Sequence, residues 1–352
     1  MLATRDVKSL LQHAVEASFK STHPDKRFHI GAALYTGSTD NFDESHIFSA
    51  SSGISTRLSS VISHGDTISG HGPTTHAEMR LLHHHSGKVL AITDPPCPDC
   101  MNGITLSNVD NIIILNQGFH NAWFEHNHSY FMEHSLPIAQ QAGIRLITMG
   151  LNDQEPYEIP AGPQSPKLTR RRFENIAFPD NTIDLLPAEE LLQHAISLGR
   201  TSSLGSNFNG AIAIGRNKQQ TLTALSAVSD LPPGMTTGTA TSIEQNLDRL
   251  KYMLPVHAVK GLLIRAPSAD VSLTGGTIYS RYLPPANILI DCVDSGVERL
   301  FFADLHSADP YDYPHSRTEC AHSNPSVHDA IECMNFLKEK KLMEITHIPV
   351  PE

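Results

Sequence analysis

Thr75-His76-Ala77-Glu78-Met79 and, further on, Asp94-Pro95-Pro96-Cys97-Pro98-Asp99-Cys100 are the stretches on which the reading of this chain turns. Each alone is a weak signal. Together they set H-x-E and P-C-x-x-C 21 residues apart, with a predicted strand, Val89 to Thr93, between two helix starts. Cys97 and Cys100 are three apart, so on a first helical turn both sulfurs face one side. The positive end of a helix favours thiolates, the form in which cysteine binds zinc. A neutral His76 supplies a third ligand and leaves one tetrahedral position for water, as a catalytic zinc requires. Zinc lowers the pKa of such a water toward ~7, giving hydroxide at neutral pH. Glu78 sits too close to His76 along the helix start to be a convenient fourth ligand. Its carboxylate can reach the water and suits a proton shuttle.

Two plainer readings use the same residues. One is a closed structural zinc with His71, His83, His84 or His85 as fourth ligand; such sites usually belong to small domains without their own core. The other is a redox C-x-x-C, which leaves His76 and Glu78 unexplained. Consecutive residues on a helix point in different directions, so His83-His84-His85 reads as a solvated helix end.

Working outward, the segment 1–150 reads as α-β-β-α-β-α-β-α-β. Helices are predicted over 5–19, from a Thr74-Thr75 cap to 85, over 97–107 and within 128–142; strands over 28–36, 46–50, 89–93, 111–115 and 144–149. Residues 52–73, rich in Ser and Gly, read as a loop. Strands separated by helices favour parallel pairing, so 111–115 and 144–149 should run parallel. The same order recurs. Leu10-Leu11-Gln12-His13-Ala14-Val15 returns as Leu191-Leu192-Gln193-His194-Ala195-Ile196, and His76-Ala77 as His257-Ala258, both at an offset of 181. Phe28-His29-Ile30-Gly31-Ala32 has a looser echo in Phe208-Asn209-Gly210-Ala211, and Pro95-Pro96-Cys97 meets Pro284-Pro285-Ala286 after one insertion. Matches in order at nearly constant offset indicate a duplicated domain. The second copy should end in a strand at 299–303, a helix near 326–340 and a strand at 344–348. Between the copies, 151–187 holds six prolines and Arg170-Arg171-Arg172, and reads as a connector. The layout expected is therefore 1–150, a connector over 151–187, and 188–352. In the second copy Val259 stands where Glu78 stands in the first, and Ala286-Asn287-Ile288-Leu289 replaces C-x-x-C, so this half should hold no zinc and be catalytically dead.

The chain has 352 residues, 39% apolar and 18% charged, enough to bury a core. Its 26 basic and 37 acidic side chains give a net charge of −11, which disfavours a surface made mainly to hold phosphate backbones. No run approaches the ~18 apolar residues of a membrane span. The start, MLATRDVKSLLQ, lacks the apolar core of a signal peptide, so a cytoplasmic location is expected. Five cysteines imply no disulfide framework, and Cys292, Cys320 and Cys333 read as buried small side chains.

The segment 1–150 resembles the cytidine deaminase-like superfamily. The resemblance is carried by Phe28-His29-Ile30-Gly31-Ala32-Ala33-Leu34, His76-Ala77-Glu78 and Pro96-Cys97-Pro98-Asp99-Cys100. It implies an α/β fold of two tandem three-layer α/β/α domains, each around a five-stranded mixed sheet, the second degenerate and packed against the first like the partner in a dimer. It implies Zn2+ on His76, Cys97 and Cys100, Glu78 as proton shuttle, and a substrate pocket to which Phe28, Ser52, Ala77, Pro96, Trp123 and Tyr130 contribute. A histidine as first ligand and a helix before the last strand lean toward the deoxycytidylate and tRNA-adenosine branch. Many relatives carry a substrate-binding asparagine after the second strand; here Ser49-Ala50-Ser51-Ser52-Gly53 offers only serines. The activity implied is hydrolytic deamination of a nucleobase, nucleoside or nucleotide, of cytidine or deoxycytidylate type, with release of ammonia. The alternatives are deamination of nucleic acid such as tRNA, and a non-catalytic binding protein on the same scaffold. A homodimer built on the internal pair is also expected.

Overall fold

The computed structural model describes residues 2–62, 74–121, 124, 128, 131–160, 186–202, 208–231, 256–305 and 327–350. Trp123, Tyr130, His71, Cys320 and the run Arg170-Arg171-Arg172 lie outside the described residues. The chain divides into two compact units. The first takes the described residues up to Ile54 and from Thr74 to 160, and the second takes 55–62 and the described residues from 186 onward.

In the first unit, helix α1 (Thr4–Ser18) buries Val7, Leu10, Leu11 and Ala14, a stripe at helical spacing. The strands are β1 (Gly31–Tyr35), β2 (Ile47–Ser51), β5 (Val89–Ile92), β6 (Asn111–Leu115), β7 (Arg145–Met149) and β8 (Tyr157–Glu158), with a separate two-residue ladder of β3 (Gly53–Ile54) on β4 (Thr74–Thr75). The α1 stripe packs on Ala33, Tyr35, Val89, Ala91, Ile113, Ile147 and Met149, alternate positions of four strands and so one face of the sheet. The intervening Leu34, Leu90, Ile112, Ile114 and Leu146 are buried too, so the opposite face is also covered. Helix α3 (Ala77–Leu82) lies against β1 and β2, touches α4 (Pro98–Leu106), and α4 touches α5 (Leu136–Gln141). The sheet order is β2-β1-β5-β6-β7-β8. β1 runs antiparallel to both neighbours, and β5, β6 and β7 are parallel, as expected for 111–115 and 144–149.

The structure corrects several expectations. This sheet has six strands where five were expected, because Tyr157–Glu158, inside the expected connector, pairs antiparallel with Ile147 and Thr148. Thr74 and Thr75 do not cap a helix: they pair with Ile54 and Gly53, and His76 takes the cap position. The first strand begins at Gly31, since Asp25 accepts from the Arg27 amide and closes a 3-10 turn over Lys26–Phe28. The helix end at His83-His84-His85 is only partly solvated: His84 is exposed, His83 is buried, and His85 stacks on Phe48 at 3.8 Å.

The second unit has helix α6 (Ala188–Gly199), β9 (Gly210–Asn217), β10 (Leu222–Val228), α7 (Ala258–Arg265), β11 (Val271–Tyr282), α8 (Ala286–Asp294), β12 (Arg299–Asp304), α9 (Val327–Glu339) and β13 (Glu344–His347). Its order is β10-β9-β11-β12-β13, with β9 antiparallel to both neighbours and β11, β12 and β13 parallel. Leu191, Leu192 and Ala195 of α6 pack on Ile212, Ile214, Ala224 and Tyr279. A short helix from the first half of the sequence, α2 (Thr56–Ser59), also belongs here. It rests on α8, buries Leu58, and its Arg57 donates to the carbonyls of Leu342 at 3.0 Å and Val297 at 3.5 Å.

Each unit opens its sheet with a glycine pressed against a helix. A Cβ on Gly31 would overlap the Ala14 carbonyl oxygen of α1, and one on Gly210 would overlap that of Ala195 on α6. Glycine is required in both places by closeness of approach, not by backbone angle.

Candidate metal centre

His76 and Cys97 occupy the same local position, the residue that opens a helix. His76 precedes α3 and makes no side-chain cap to it, which leaves the imidazole free to turn toward α4. Cys97 precedes α4, where Pro98 is tolerated at the first position, and its Sγ accepts from the Cys100 amide at 3.4 Å. The three donor atoms converge. Nδ1 of His76 lies 3.1 Å from Sγ of Cys100 and 3.8 Å from Sγ of Cys97, and all three fall within 4.8 Å of one another. Tetrahedral zinc with bonds of about 2.3 Å to sulfur and 2.0 Å to nitrogen sets its sulfur and nitrogen ligands about 3.6 Å apart. The spacing fits such an ion, and the set is the only group of three or more potential ligands among the described residues.

The groups of the cluster act strongly on one another's charge. The hydrogen bond from Cys100 holds the Cys97 thiol well below its ordinary range, against the burial that opposes it, and His76 adds to the effect. Burial is the largest influence on His76 and lowers its pKa, but the Cys97 thiolate, Glu78 and Asp99 together overcome it and lift the group to about 10. Glu78 is 1% exposed, and burial pushes its carboxyl up while His76 pulls the other way. Its Oε2 is buried with no hydrogen-bond partner. An orphaned carboxylate oxygen in such a place is costly unless something polar meets it, and a water at an open metal position is such a group. Donor set and orphaned oxygen both fit a zinc site.

No protein-family model matches this chain, and no curated protein does. Among solved structures it is similar to the dCMP deaminase from the cyanophage S-TIM5 in apo form, at 12% identity over 46% of this chain and 96% of that one, with a TM-score of 0.28. It is similar also to NE0047 in complex with 2,6-diaminopurine, at 14% identity over 46% and 74% of the two chains with a TM-score of 0.28. A mutant of NE0047 in complex with 8-azaguanine gives 14% identity, 46% and 76% coverage and a TM-score of 0.27.

The remaining site expectations fare differently. Ala77 and Pro96 are buried beside the candidate ligands His76 and Cys97. Phe28 is half-buried, its ring 5.0 Å from that of His23. Ser52 is 2% exposed, and its hydroxyl is committed: it donates to the Phe28 carbonyl and accepts from the Ile30 amide at 3.0 Å. That hydroxyl anchors the chain before β1. Phe124, next to Trp123 in the sequence, is buried edge-on against Phe119 and Phe131. Asp94 carries no signal in the sequence. Burial raises its pKa, and its carboxylate accepts from Thr93 at 2.7 Å and from Asn121, tying the loop before Cys97 to the one after β6.

The second unit treats its histidine in another way. His257 also opens a helix, but its Nδ1 accepts from the Val259 amide at 3.2 Å and its Nε2 lies 3.0 Å from Asn209. Burial and then Lys260 lower its pKa to about 3, so the ring is neutral. The residue opening α8 is Pro285, and no thiol stands in that first turn. Cys292 and Cys333 are buried, and burial raises both thiols, Cys333 to about 12. No helix among the described residues is long and apolar enough to cross a membrane.

Proposed function

We propose that the protein is a zinc-dependent hydrolytic deaminase of an amino-bearing nucleobase, nucleoside or nucleotide, of cytidine or deoxycytidylate type. The observation that carries this is the convergence of His76 Nδ1, Cys97 Sγ and Cys100 Sγ beside the buried, unpartnered Oε2 of Glu78. Zinc held by these three supplies a Lewis acid that makes water nucleophilic near neutral pH. Glu78 does the rest of the proton work. Its carboxylate would take one proton from the attacking water and give it to the ring nitrogen next to the amino-bearing carbon, then take the remaining proton of the added hydroxyl and give it to the departing amine as the carbonyl forms. Water and the amino compound become the carbonyl compound and ammonia, and the carboxylate ends as it began. Burial favours the protonated form of Glu78, which suits a group that must hold a proton between two acceptors.

The chain is a duplication in this reading, with 1–150 catalytic, 151–187 connecting and 188–352 degenerate. Three features support it: the shared run of strand order and direction, the paired contacts of Gly31 with α1 and Gly210 with α6, and the placing of His76 and His257 each before a helix. The net charge of −11 favours a small-molecule substrate over a polynucleotide.

The test is ammonia release by the zinc-loaded protein from cytosine, adenine, guanine and pterin compounds, with Glu78→Gln alongside. The expected result is turnover of at least one compound, falling by about 10²- to 10⁴-fold in Glu78→Gln while zinc is retained. Absence of turnover with every compound at full metal loading overturns the reading.

A further inference from the structure

The stretch between α1 and β1 is held far more firmly than a connecting loop needs. Ser21 Oγ donates to the Ser52 carbonyl at 2.7 Å, and Thr22 Oγ1 accepts from the Ile54 amide at 3.0 Å. The His23 amide donates to Ser21 Oγ at 3.2 Å, and His29 Nε2 lies 3.0 Å from the His23 carbonyl. Asp25 accepts from the Arg27 amide at 2.9 Å and pairs with the same residue's guanidinium at 2.6 Å. These bonds fix the backbone on both sides of His23.

They also fix where His23 is. A Cβ built on Gly53 would stand 3.0 Å from the His23 amide nitrogen, so the loop lies directly on β3. Gly53 is paired with Thr75, and the next residue is His76. His23 is thus carried one ladder pairing away from the first ligand of the cluster.

The His23 ring nitrogens have distinct surroundings. Nδ1 lies 3.1 Å from both the amide and the carbonyl of Asp25. That carbonyl already accepts from the Phe28 amide at 3.0 Å, whereas the Asp25 amide has no other acceptor among the described residues. Satisfying the amide makes Nδ1 the acceptor and leaves the proton on Nε2. Nε2 has no partner among the described residues, and the half-buried ring is backed by Phe28.

We infer that His23 is a specificity-determining contact for the substrate, its Nε2–H donating to an oxygen acceptor of the molecule deaminated at the His76, Cys97 and Cys100 site; the inference rests on the deaminase reading above. The oxygen belongs either to the base or to the sugar phosphate, and substrates of graded size separate the two.

The experiment compares wild type, His23→Leu and His23→Gln, all zinc-loaded, with cytosine, deoxycytidine, deoxycytidine monophosphate and guanine. Steady-state kinetics, zinc content and melting temperature are measured on each. Loss of one neutral hydrogen bond should raise KM about three- to tenfold in His23→Leu with little change in kcat. Zinc content and melting temperature should stay as in wild type. His23→Gln, which offers an N–H at a similar reach, should recover most of the loss. An effect already present with the free base assigns the oxygen to the ring; one confined to the nucleotide assigns it to the phosphate. An active wild type with KM unchanged in His23→Leu overturns this inference alone, as does equal loss in both variants or loss of zinc. A zinc-loaded wild type that deaminates nothing overturns the deaminase reading and this inference with it.

Discussion

His76 and His257 show how one side chain is turned to different ends by its neighbours. Beside a thiolate and two carboxylates, His76 is lifted to about 10 against the desolvation that lowers it; burial first, and Lys260 second, take His257 down to about 3. The second case has a measurable result. A histidine whose pKa is depressed in the folded state contributes stability above its unfolded value, near 6.5, and loses it as pH falls toward the folded value. Between pH 6.5 and 4 the cost to folding should be on the order of 3 kcal/mol. Urea unfolding across this range should show that slope in wild type, and His257→Gln should lack it; equal slopes would show that other groups govern acid sensitivity. His76, Glu78, Cys97 and Cys100 are legible in the sequence because local spacing alone puts them at two helix starts. His23 is not. Fifty-three residues separate it from His76, and only the pairing of Gly53 with Thr75 brings its backbone near. Ser52 is legible as a position but not as a role, since a serine hydroxyl bonds backbone as readily as ligand.

Elements with a full apolar stripe, such as α1 and β6, can be read to within a few residues, because burial on one or two faces writes a period into the sequence. The short ladder of Gly53–Ile54 on Thr74–Thr75 cannot, since two residues have no period and their partner lies 20 positions away. Helix α2 is hidden inside a Ser- and Gly-rich stretch for the same reason. Two substitutions test the packing described. Gly31→Ala should destabilise the first unit by about 3 kcal/mol, because the added carbon meets backbone oxygen of α1 and the helix must move; denaturant midpoints measure it, and a neutral result would mean that α1 is free to shift. Arg57→Ala should cost the second unit about 1.5–3 kcal/mol, with the Val297 and Leu342 carbonyls left without their charged donor. Arg57→Lys, a single point donor, should recover only part of it.

For the whole chain, the repeat at an offset of 181 is legible in the residues alone, yet they do not reveal that the units have unequal sheets, since Tyr157–Glu158 adds a strand to the first alone. Two sheets of related order and one donor cluster among the described residues lead to a stoichiometric expectation: metal analysis should find one zinc per chain, and a chelator should lower the unfolding transition of the first unit while leaving that of the second in place. Two equivalents, or two transitions shifted equally, would contradict it. The placing of residues 55–62 bears on how such a molecule comes apart. The chain leaves the first unit after Ile54, sets Leu58 and Arg57 into the second, and is back in the first at Thr74. A single protease cut between the halves therefore should not release two free fragments: the amino-terminal piece still carries a hook seated in the carboxyl-terminal one, and the nicked protein should elute as one species until denaturant draws that hook out.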